Sequence, residues 1–400
     1  MSNTASDLDT FRAEARAYME QHCPPSMRNR AVHFEDAFEV YDTDDARSWQ
    51  QAMAERGWTA PLWPKEYGGG GLDKAHLRVL LQEQAEMKAL PPAVGMGLAM
   101  IGPTLLEYGT EAQRQRHLPS ITSGQVRWCQ GYSEPGSGSD LASLQTKAVD
   151  NGDHYVINGQ RVWTTGADHA DWMFVLTRTD PAAPKHDGIS FMLIDMHQPG
   201  VTVKPIPLIS GSSPFCETFF DDAIARKEDL IGKENQGWTI AKRLLQYERS
   251  VNTDAAARKK PGAAKVEKPK QNNVYARVAS DYAALAEDPG LRREVLEQSM
   301  QERAYALTIR RAGEESKSGG APGAATSIFK FVGSTLARDG AALRARIRGT
   351  QGLGWEGAGF SDAELEATRS WLRDRAVTIY GGTNEVQLNI IAKRVLGLPD

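Results

Sequence analysis

Three rhythms of apolar and polar positions divide the chain. From residue 7 to about 125, apolar side chains return every three or four positions. Leu8, Phe11, Ala15 and Met19 open the series, with the spacing of a helix that buries one face. Asp44-Asp45 is expected to cap a helix that carries Trp49, Met53 and Arg56 and stops at Gly57. A short acid satisfies the first free N–H groups of a helix, and glycine accepts the left-handed turn that ends one. Further helices are expected over 72–88 and 93–108. Between residue 126 and about 232 the rhythm shortens to brief β-rich runs: Tyr155-Val156-Ile157, Trp172-Met173-Phe174-Val175-Leu176, Ile189-Ser190-Phe191-Met192-Leu193-Ile194 and Val201-Thr202-Val203. Asn-Gly, Asp-Gly, Gly and Pro separate them, which predicts sequential short strands in a barrel or sandwich and not a parallel βαβ sheet. In that region no Gly-x-Gly-x-x-Gly opens a helix, so a Rossmann dinucleotide site is not expected.

Helical spacing returns after residue 237. Trp238, Ala241, Leu244 and Leu245 share one face, and helices are expected over 273–286, 290–318 and 325–348. Between them Arg258-Lys259-Lys260, Pro261-Gly262, Lys265 and Lys268-Pro269-Lys270 break the pattern. Such a basic, proline-containing segment reads as a solvated loop or as a contact for ligand phosphates or an acidic partner. The fold class expected is α+β: a helical domain over 1–125, a β-barrel domain over 126–233 and a helical domain over 234–400.

Composition narrows the setting. Four hundred residues supply two or three domain-sized units, and 40% hydrophobic with 24% charged residues is the balance of a soluble globular protein. A formal net charge of −4 gives no overall drive toward nucleic acid or an anionic membrane, and neither is an expected partner. Cys23, Cys129 and Cys216 are scattered and odd in number, which fits a reducing, cytoplasmic compartment and argues against a disulfide framework. No cysteine or histidine has metal-ligand spacing, so no metal is expected. Residues 1–9 are polar and acidic, without the basic flank and apolar core of a secretion signal. The apolar stretch 93–101 is too short to span a bilayer.

Candidate chemistry lies in three places. Tyr132-Ser133-Glu134-Pro135-Gly136-Ser137-Gly138-Ser139-Asp140 puts glycines and hydroxyls just after a strand-like Val126-Arg127-Trp128-Cys129. Taken alone, this is either an ordinary surface loop or a cradle that offers N–H groups and hydroxyls to an anionic or planar ligand. Val162-Trp163-Thr164-Thr165-Gly166-Ala167 follows a second strand-like run. Tyr380-Gly381-Gly382-Thr383-Asn384-Glu385-Val386-Gln387 and Ile391-Ala392-Lys393-Arg394 stand near the end of the chain. The glycines at 68–71, after Trp63-Pro64-Lys65-Glu66-Tyr67, are followed by no phosphate-loop lysine and by themselves read as a flexible link; only the resemblance given next makes them architecture.

Taken together and in order, these motifs resemble the acyl-CoA dehydrogenase family over most of the chain. The resemblance implies a helical domain, a β domain and a four-helix-bundle-like C-terminal domain. It also implies FAD as cofactor and α,β-dehydrogenation of an acyl-CoA thioester to the trans-2-enoyl-CoA. Electrons would pass to an electron-transferring flavoprotein, from an enzyme that is a homo-oligomer, dimer or tetramer, with a hetero-oligomer left open. By motif position Gln130, Ser133, Gly138, Trp163, Thr164, Thr165, Gly352, Thr383 and Glu385 would contact FAD, Gly352 through the run Gln351-Gly352-Leu353-Gly354-Trp355. Ser139, Tyr247 and Arg249 would line the acyl-CoA site, and the backbone N–H of Gly381 would bind the thioester carbonyl. For Trp163 a plain core role is the alternative.

Two departures stand out. Many family members carry the base that takes the α-proton as a glutamate where this chain has Gly381. Others, including isovaleryl- and long-chain-type enzymes, carry it on the first long helix after the β domain, just before an arginine. Tyr247-Glu248-Arg249 falls at that place, so Glu248 is the candidate base and the glycine leaves room for it. A surface or salt-bridged acid is the alternative for Glu248. The Arg-x-x-Phe-Gly stretch by which relatives reach a neighbour's cofactor is missing after Arg249. Same-fold oxidase, monooxygenase or desulfinase chemistry, or a non-catalytic subunit of a heteromeric dehydrogenase, are the competing functions.

Overall fold

Helix α1 (Ala5–His22) forms where the apolar spacing places it, with Ala15 and Met19 fully buried. It packs on α3 (Asp44–Glu55) and α4 (Lys74–Glu86), past the short α2 (Ala37–Val40), around Met27, Trp49, Met53 and Leu80. A buried acid staples the helices: Glu83 takes Arg12 and Arg16 at 2.6 Å each. The cap of α3 is Thr43 and not Asp44; its side chain accepts from the Ala46 N–H, and the two aspartates occupy the first turn. Gly57 takes the left-handed conformation as expected, with φ 66°. The glycines at 68–71 are packed: a Cβ on Gly69 would meet the Trp63 carbonyl oxygen at 2.3 Å. The expected helix at 93–108 begins later, as a π-wound turn over Gly97–Ile101 that leads into α5 (Gly102–Tyr108). Helix α6 (Glu111–Ser123) follows behind a Thr110/Gln113 capping box.

The computed structural model describes residues 5–30, 32, 37–258, 274–282, 288–317 and 325–399, without the side chains of 5, 248–258, 316–317 and 325–326. It separates into two compact units: Met1–Ile206 with Ser213–Ala263, and Pro207–Ser212 with Ala264–Asp400. In the first, the helices above join a sheet of β1 (Trp128–Gly131), β2 (Lys147–Asp150), β3 (His154–Thr165), β4 (Trp172–Arg178), β5 (Ile189–Asp195), β6 (Val201–Ile206), β7 (Phe215–Arg226) and β8 (Leu230–Ile231). The order is β6-β7-β3-β2-β4-β5-β8, with β1 parallel to β4.

The unbroken hydrophobic runs of β4 and β5 reflect burial on both faces. Met173, Val175, Met192 and Ile194 meet Tyr155, Ile157, Cys216 and Phe220 in the interior of the β domain. Phe174, Leu176, Phe191 and Leu193 face the other way, onto Ile101, Leu105 and Leu118 of the helices. Helix α7 (Gly237–Arg258) seals this second core through Ile240, Ala241 and Leu244, each large side chain contributing ~1.5–3 kcal/mol of burial.

The second unit is helical: α8 (Val274–Asp281), α9 (Pro289–Lys317), α10 (Ala325–Ile347), α11 (Asp362–Arg373) and α12 (Asn384–Ile390). α10 packs against all four others, and Tyr275, Ala279, Leu291, Val295, Leu343 and Ile347 form a core there. The order helical, β, helical and the α+β class are those expected. Among the described residues no helix is long and apolar enough to cross a membrane.

Candidate functional site

The glycine-rich loop leaves the end of β1 at Gly131, where a Cβ would sit 2.4 Å from the Met173 sulfur on the parallel neighbour and that side chain would have to shift. The loop then closes on itself: the Glu134 N–H donates to the Ser137 carbonyl at 3.2 Å, and the Ser137 N–H to the Glu134 carbonyl at 3.1 Å. Beneath it the Glu134 carboxylate accepts from the N–H groups of Gln145 and Thr146, both at 2.7 Å, and from the Ser137 hydroxyl at 3.3 Å. Arg161 of β3, fully buried, lies 3.1 Å from that carboxylate and donates to the Tyr132 carbonyl at 2.6 Å and to the Leu176 carbonyl. Burial pushes the Arg161 guanidinium down to about 10 against the pull of Glu134. For Glu134, burial works upward, but Arg161 and the hydrogen bonds prevail and hold the carboxyl below its ordinary value. Arg178 donates to the Lys185 carbonyl at 2.9 Å and the Ala142 carbonyl at 2.6 Å, which ties down the far side of the loop.

Above these anchors Ser133 is half-buried and its carbonyl accepts from the Val162 N–H at 3.0 Å, joining the two motifs. Gly138 and Ser139 are exposed, and a Cβ on Gly136 or Gly138 would meet nothing within 4 Å among the described residues. Gln130, half-buried on β1, has a side-chain nitrogen that is shut from solvent and finds no partner among the described residues.

Trp163 stands on a bulge, where the pairing of β3 with β7 shifts between Arg161 and Thr164. Its φ is 62° and it is 56% exposed, edge-on to Phe215 at 6.1 Å. The core role is therefore excluded. A bulky residue in the left-handed region costs about 1–3 kcal/mol and marks functional sites more often than plain surface. Thr164, expected beside it as a cofactor contact, turns its hydroxyl inward, where it donates to the Cys216 carbonyl at 2.7 Å and lies 3.0 Å from the Thr218 hydroxyl. Thr165 is half-buried and paired with Phe215.

Position 248 lies in α7, four residues past the buried Leu244. The side chains of Glu248 and Arg249, and the basic segment that follows residue 258, lie outside the described residues. Tyr247, expected against substrate, donates its hydroxyl to Glu107 of α5, which also takes Arg243 at 2.8 Å. Burial raises the Glu107 carboxyl, but these two donors outweigh it and leave it below its ordinary value.

The remaining candidates belong to the second unit. Gly381 is exposed with φ 66°, and among the described residues a Cβ there would meet only the Lys330 chain at 3.6 Å. The left-handed backbone there disfavours any L side chain. Lys330, which the motifs did not single out, donates to the Val377 carbonyl at 2.5 Å and lies over the Tyr380 ring. Thr383 caps α12 by accepting from the Val386 N–H at 3.2 Å, and Glu385 is exposed in the first turn. Gly352 has a packing reason to be glycine, since a Cβ would lie 2.1 Å from the Ala345 carbonyl. Arg161 and Arg178 were not among the candidates, and Glu134 stood there only as a member of the glycine-rich loop.

Family models describe the same three parts. The chain matches the acyl-CoA dehydrogenase N-terminal domain over residues 5–125, the middle domain over 129–223 and the C-terminal domain over 235–396. It is similar to acyl-CoA dehydrogenase IpdE1 of Mycobacterium tuberculosis, 37% identical over 404 residues with 98% of each chain covered. Among solved structures it is similar to the Tcur3481-Tcur3483 steroid ACAD, 29% identical with a TM-score of 0.73 and 100% of each chain covered. It is also similar to the ChsE4-ChsE5 complex from Mycobacterium tuberculosis, 28% identical with a TM-score of 0.71, covering 100% of this chain and 99% of that one.

Proposed function

We propose, from the premise that this chain belongs to the acyl-CoA dehydrogenase family, that it is a cytoplasmic FAD enzyme that desaturates a bulky acyl-CoA thioester with Glu248 as the base. Members of the family are flavoprotein oxidoreductases that act on acyl-CoA. The observation that carries the cofactor is Trp163. A large ring held outward in a strained backbone, next to a loop with open space at its glycines and a buried amide nitrogen without a partner at Gln130, fits a planar heterocycle with polar edges. When bound, FAD supplies the two-electron acceptor for the β-hydrogen.

The residues of the chain divide the other tasks. Ser133 and Thr165 offer hydroxyls to the ring edge, and Trp163 offers a face. Thr383 caps α12 through its oxygen, and its O–H donates to no acceptor among the described residues, which suits a contact with the cofactor's phosphates; Glu385 and the Gly352 turn would serve its adenosine side. Ser139, on the exposed arm of the loop, suits the CoA chain. Glu248 takes the α-proton, a weak acid that leaves only if the thioester carbonyl is stabilised as charge develops on it. The Gly381 N–H is the chain's donor for that oxygen. Electrons then pass to an electron-transferring flavoprotein. The absence of a side chain at 381 enlarges the acyl site, and a solved relative is titled a steroid ACAD; both support a bulky, ring-bearing acyl group.

Glu248→Gln tests the reading. With a panel of CoA thioesters added anaerobically, the wild-type flavin should bleach with the best substrate, whereas the variant should keep its FAD and lose bleaching by at least a thousandfold in rate. Near-normal bleaching of the variant would overturn Glu248 as base. A second reading is favoured by the missing Arg-x-x-Phe-Gly stretch and by two solved relatives whose titles name two proteins each. In it the chain works beside a different subunit that completes the cofactor site, and the chain purified alone would carry less than one FAD.

A further inference from the structure

The glycine-rich loop rests on a buried charge cluster whose sum is not zero. Glu134 is the acid, and Arg161 lies against it at 3.1 Å while also holding the Tyr132 carbonyl. Arg178 acts on the same carboxylate from across the segment 142–146: its guanidinium donates to the Ala142 carbonyl at 2.6 Å and to the Leu144 carbonyl at 3.4 Å, and the N–H groups that follow, of Gln145 and Thr146, donate to Glu134 at 2.7 Å each. Arg161 is 0% exposed, Glu134 8% and Arg178 9%. Two buried guanidiniums and one buried carboxylate around this segment, with Arg161 the one in ion-pair contact among the described residues, leave one positive charge. Asp180, the other acid that Arg178 feels, is half-exposed and accepts from the Ala182 and Ala183 N–H groups. Solvent screens a charge so placed much more than it screens the buried three.

Folding alone gives little reason for the excess. Enclosing an ion costs several kcal/mol, and buried ion pairs often exchange for apolar side chains without loss. Arg161 in addition leaves its Nε without a partner among the described residues. The excess charge lies where it can act on chemistry: Glu134 follows Ser133, Arg161 precedes Trp163 by two residues, and the Val162 N–H holds the Ser133 carbonyl. Fixed charge in a water-poor site acts on a ligand without reorganising.

We propose that Glu134, Arg161 and Arg178 form a buried cationic base under the flavin loop that favours the reduced cofactor. The inference rests on the FAD reading above. Reduction places two electrons and one proton on the flavin, so the cofactor gains one negative charge, and a positive base stabilises that state relative to the oxidised one. These are positioning residues that act through the loop and its field, and none of them donates to or accepts from substrate.

The test is the flavin reduction potential of the full-length, FAD-loaded protein, measured by dye equilibration without substrate, together with FAD affinity. R161M and R178M bring the cluster to zero and should each disfavour the reduced form about tenfold, a fall of about 30 mV for a two-electron couple. E134Q leaves two positive charges and should move the potential up. R161K keeps the charge while losing the fork, so it should weaken FAD binding yet leave the potential near wild type. A role in loop shape alone predicts shifts of one sign in all variants, or no shift. Either result overturns the proposal, as does an R161K that behaves like R161M. If R161M or E134Q fails to accumulate, R178M against R178K carries the same comparison. A wild-type chain that binds no flavin defeats the FAD reading instead, and the two failures are thereby distinct.

Discussion

His117 is the residue whose protonation the fold suppresses most plainly. It lies on α6 with 3% of its surface exposed, edge-on to Trp128 at 5.3 Å and to Trp172 at 5.0 Å. Its Nε2 has no partner among the described residues. Burial, and then the neighbouring Arg116, push its pKa down to about 4 from 6.5. Between those values the unfolded chain binds a proton that the folded chain refuses, so stability falls as pH drops through that window. From pH 7 to pH 5 the loss from this group alone is about 2 kcal/mol. His117→Phe keeps an aromatic ring among the tryptophans and removes the titration. Denaturant unfolding at pH 7 and pH 5 should therefore show a smaller acid loss in the variant by about that amount. An unchanged loss would mean that His117 does not titrate this way. Glu134 works in a lower window: its folded value lies below the ordinary 4.5, so its contribution is complete above 4.5 and fades only as pH falls further.

At the scale of elements, bulges decide what could be read in advance. Strict alternation on β3 buries Tyr155, Ile157 and Arg161 and would bury Trp163. The shift between Arg161 and Thr164 reverses the parity, throws Trp163 outward and turns Thr164 in. A one-residue slip of this kind exchanges the two faces of a strand, and no local residue announces it. β7 escaped notice for a related reason. Cys216, Thr218 and Phe220 are buried on even positions and Ala223 and Ala225 on odd ones, the change falling at the left-handed Asp222. The helices that apolar spacing named, by contrast, lie close to their expected places, as do β4 and β5 from their unbroken apolar runs, whereas α2, α6, α11 and α12 were not named. The motif residues could be named from order along the chain, while the charge cluster could not. Glu134, Arg161 and Arg178 come together only through the pairing of loop, β3 and β4, and that is tertiary information. The glycines at 68–71 give the element-scale test. Gly69→Ala would drive a methyl to 2.3 Å from the Trp63 backbone oxygen, which cannot yield as a side chain can. Overpacking of this sort costs about 1–3 kcal/mol, so the variant should melt several degrees lower with its FAD affinity nearly intact. A melt equal to wild type would show that residues 68–71 are loose after all.

For the molecule as a whole, the strained Trp163, the buried cationic cluster and the orphan amide of Gln130 are local costs that a polypeptide selected for stability alone would shed. They make sense together if a ligand that binds the folded chain offsets them. Any such ligand stabilises by RT ln(1 + [L]/Kd), about 2.7 kcal/mol at a hundredfold excess over Kd. The flavin-free protein should therefore melt lower, and its transition should climb by a few degrees as FAD is added, in proportion to the logarithm of FAD concentration. Trp163→Asn separates the two sides of the balance, because asparagine tolerates the left-handed backbone that tryptophan resists. Without FAD the variant should melt at or above the wild type; with FAD its rise should be smaller, because the aromatic face is gone. If the wild-type transition ignores FAD altogether, the chain by itself does not complete a cofactor site. A second, different subunit then becomes the necessary partner, and the same titration repeated with that subunit present should restore the rise.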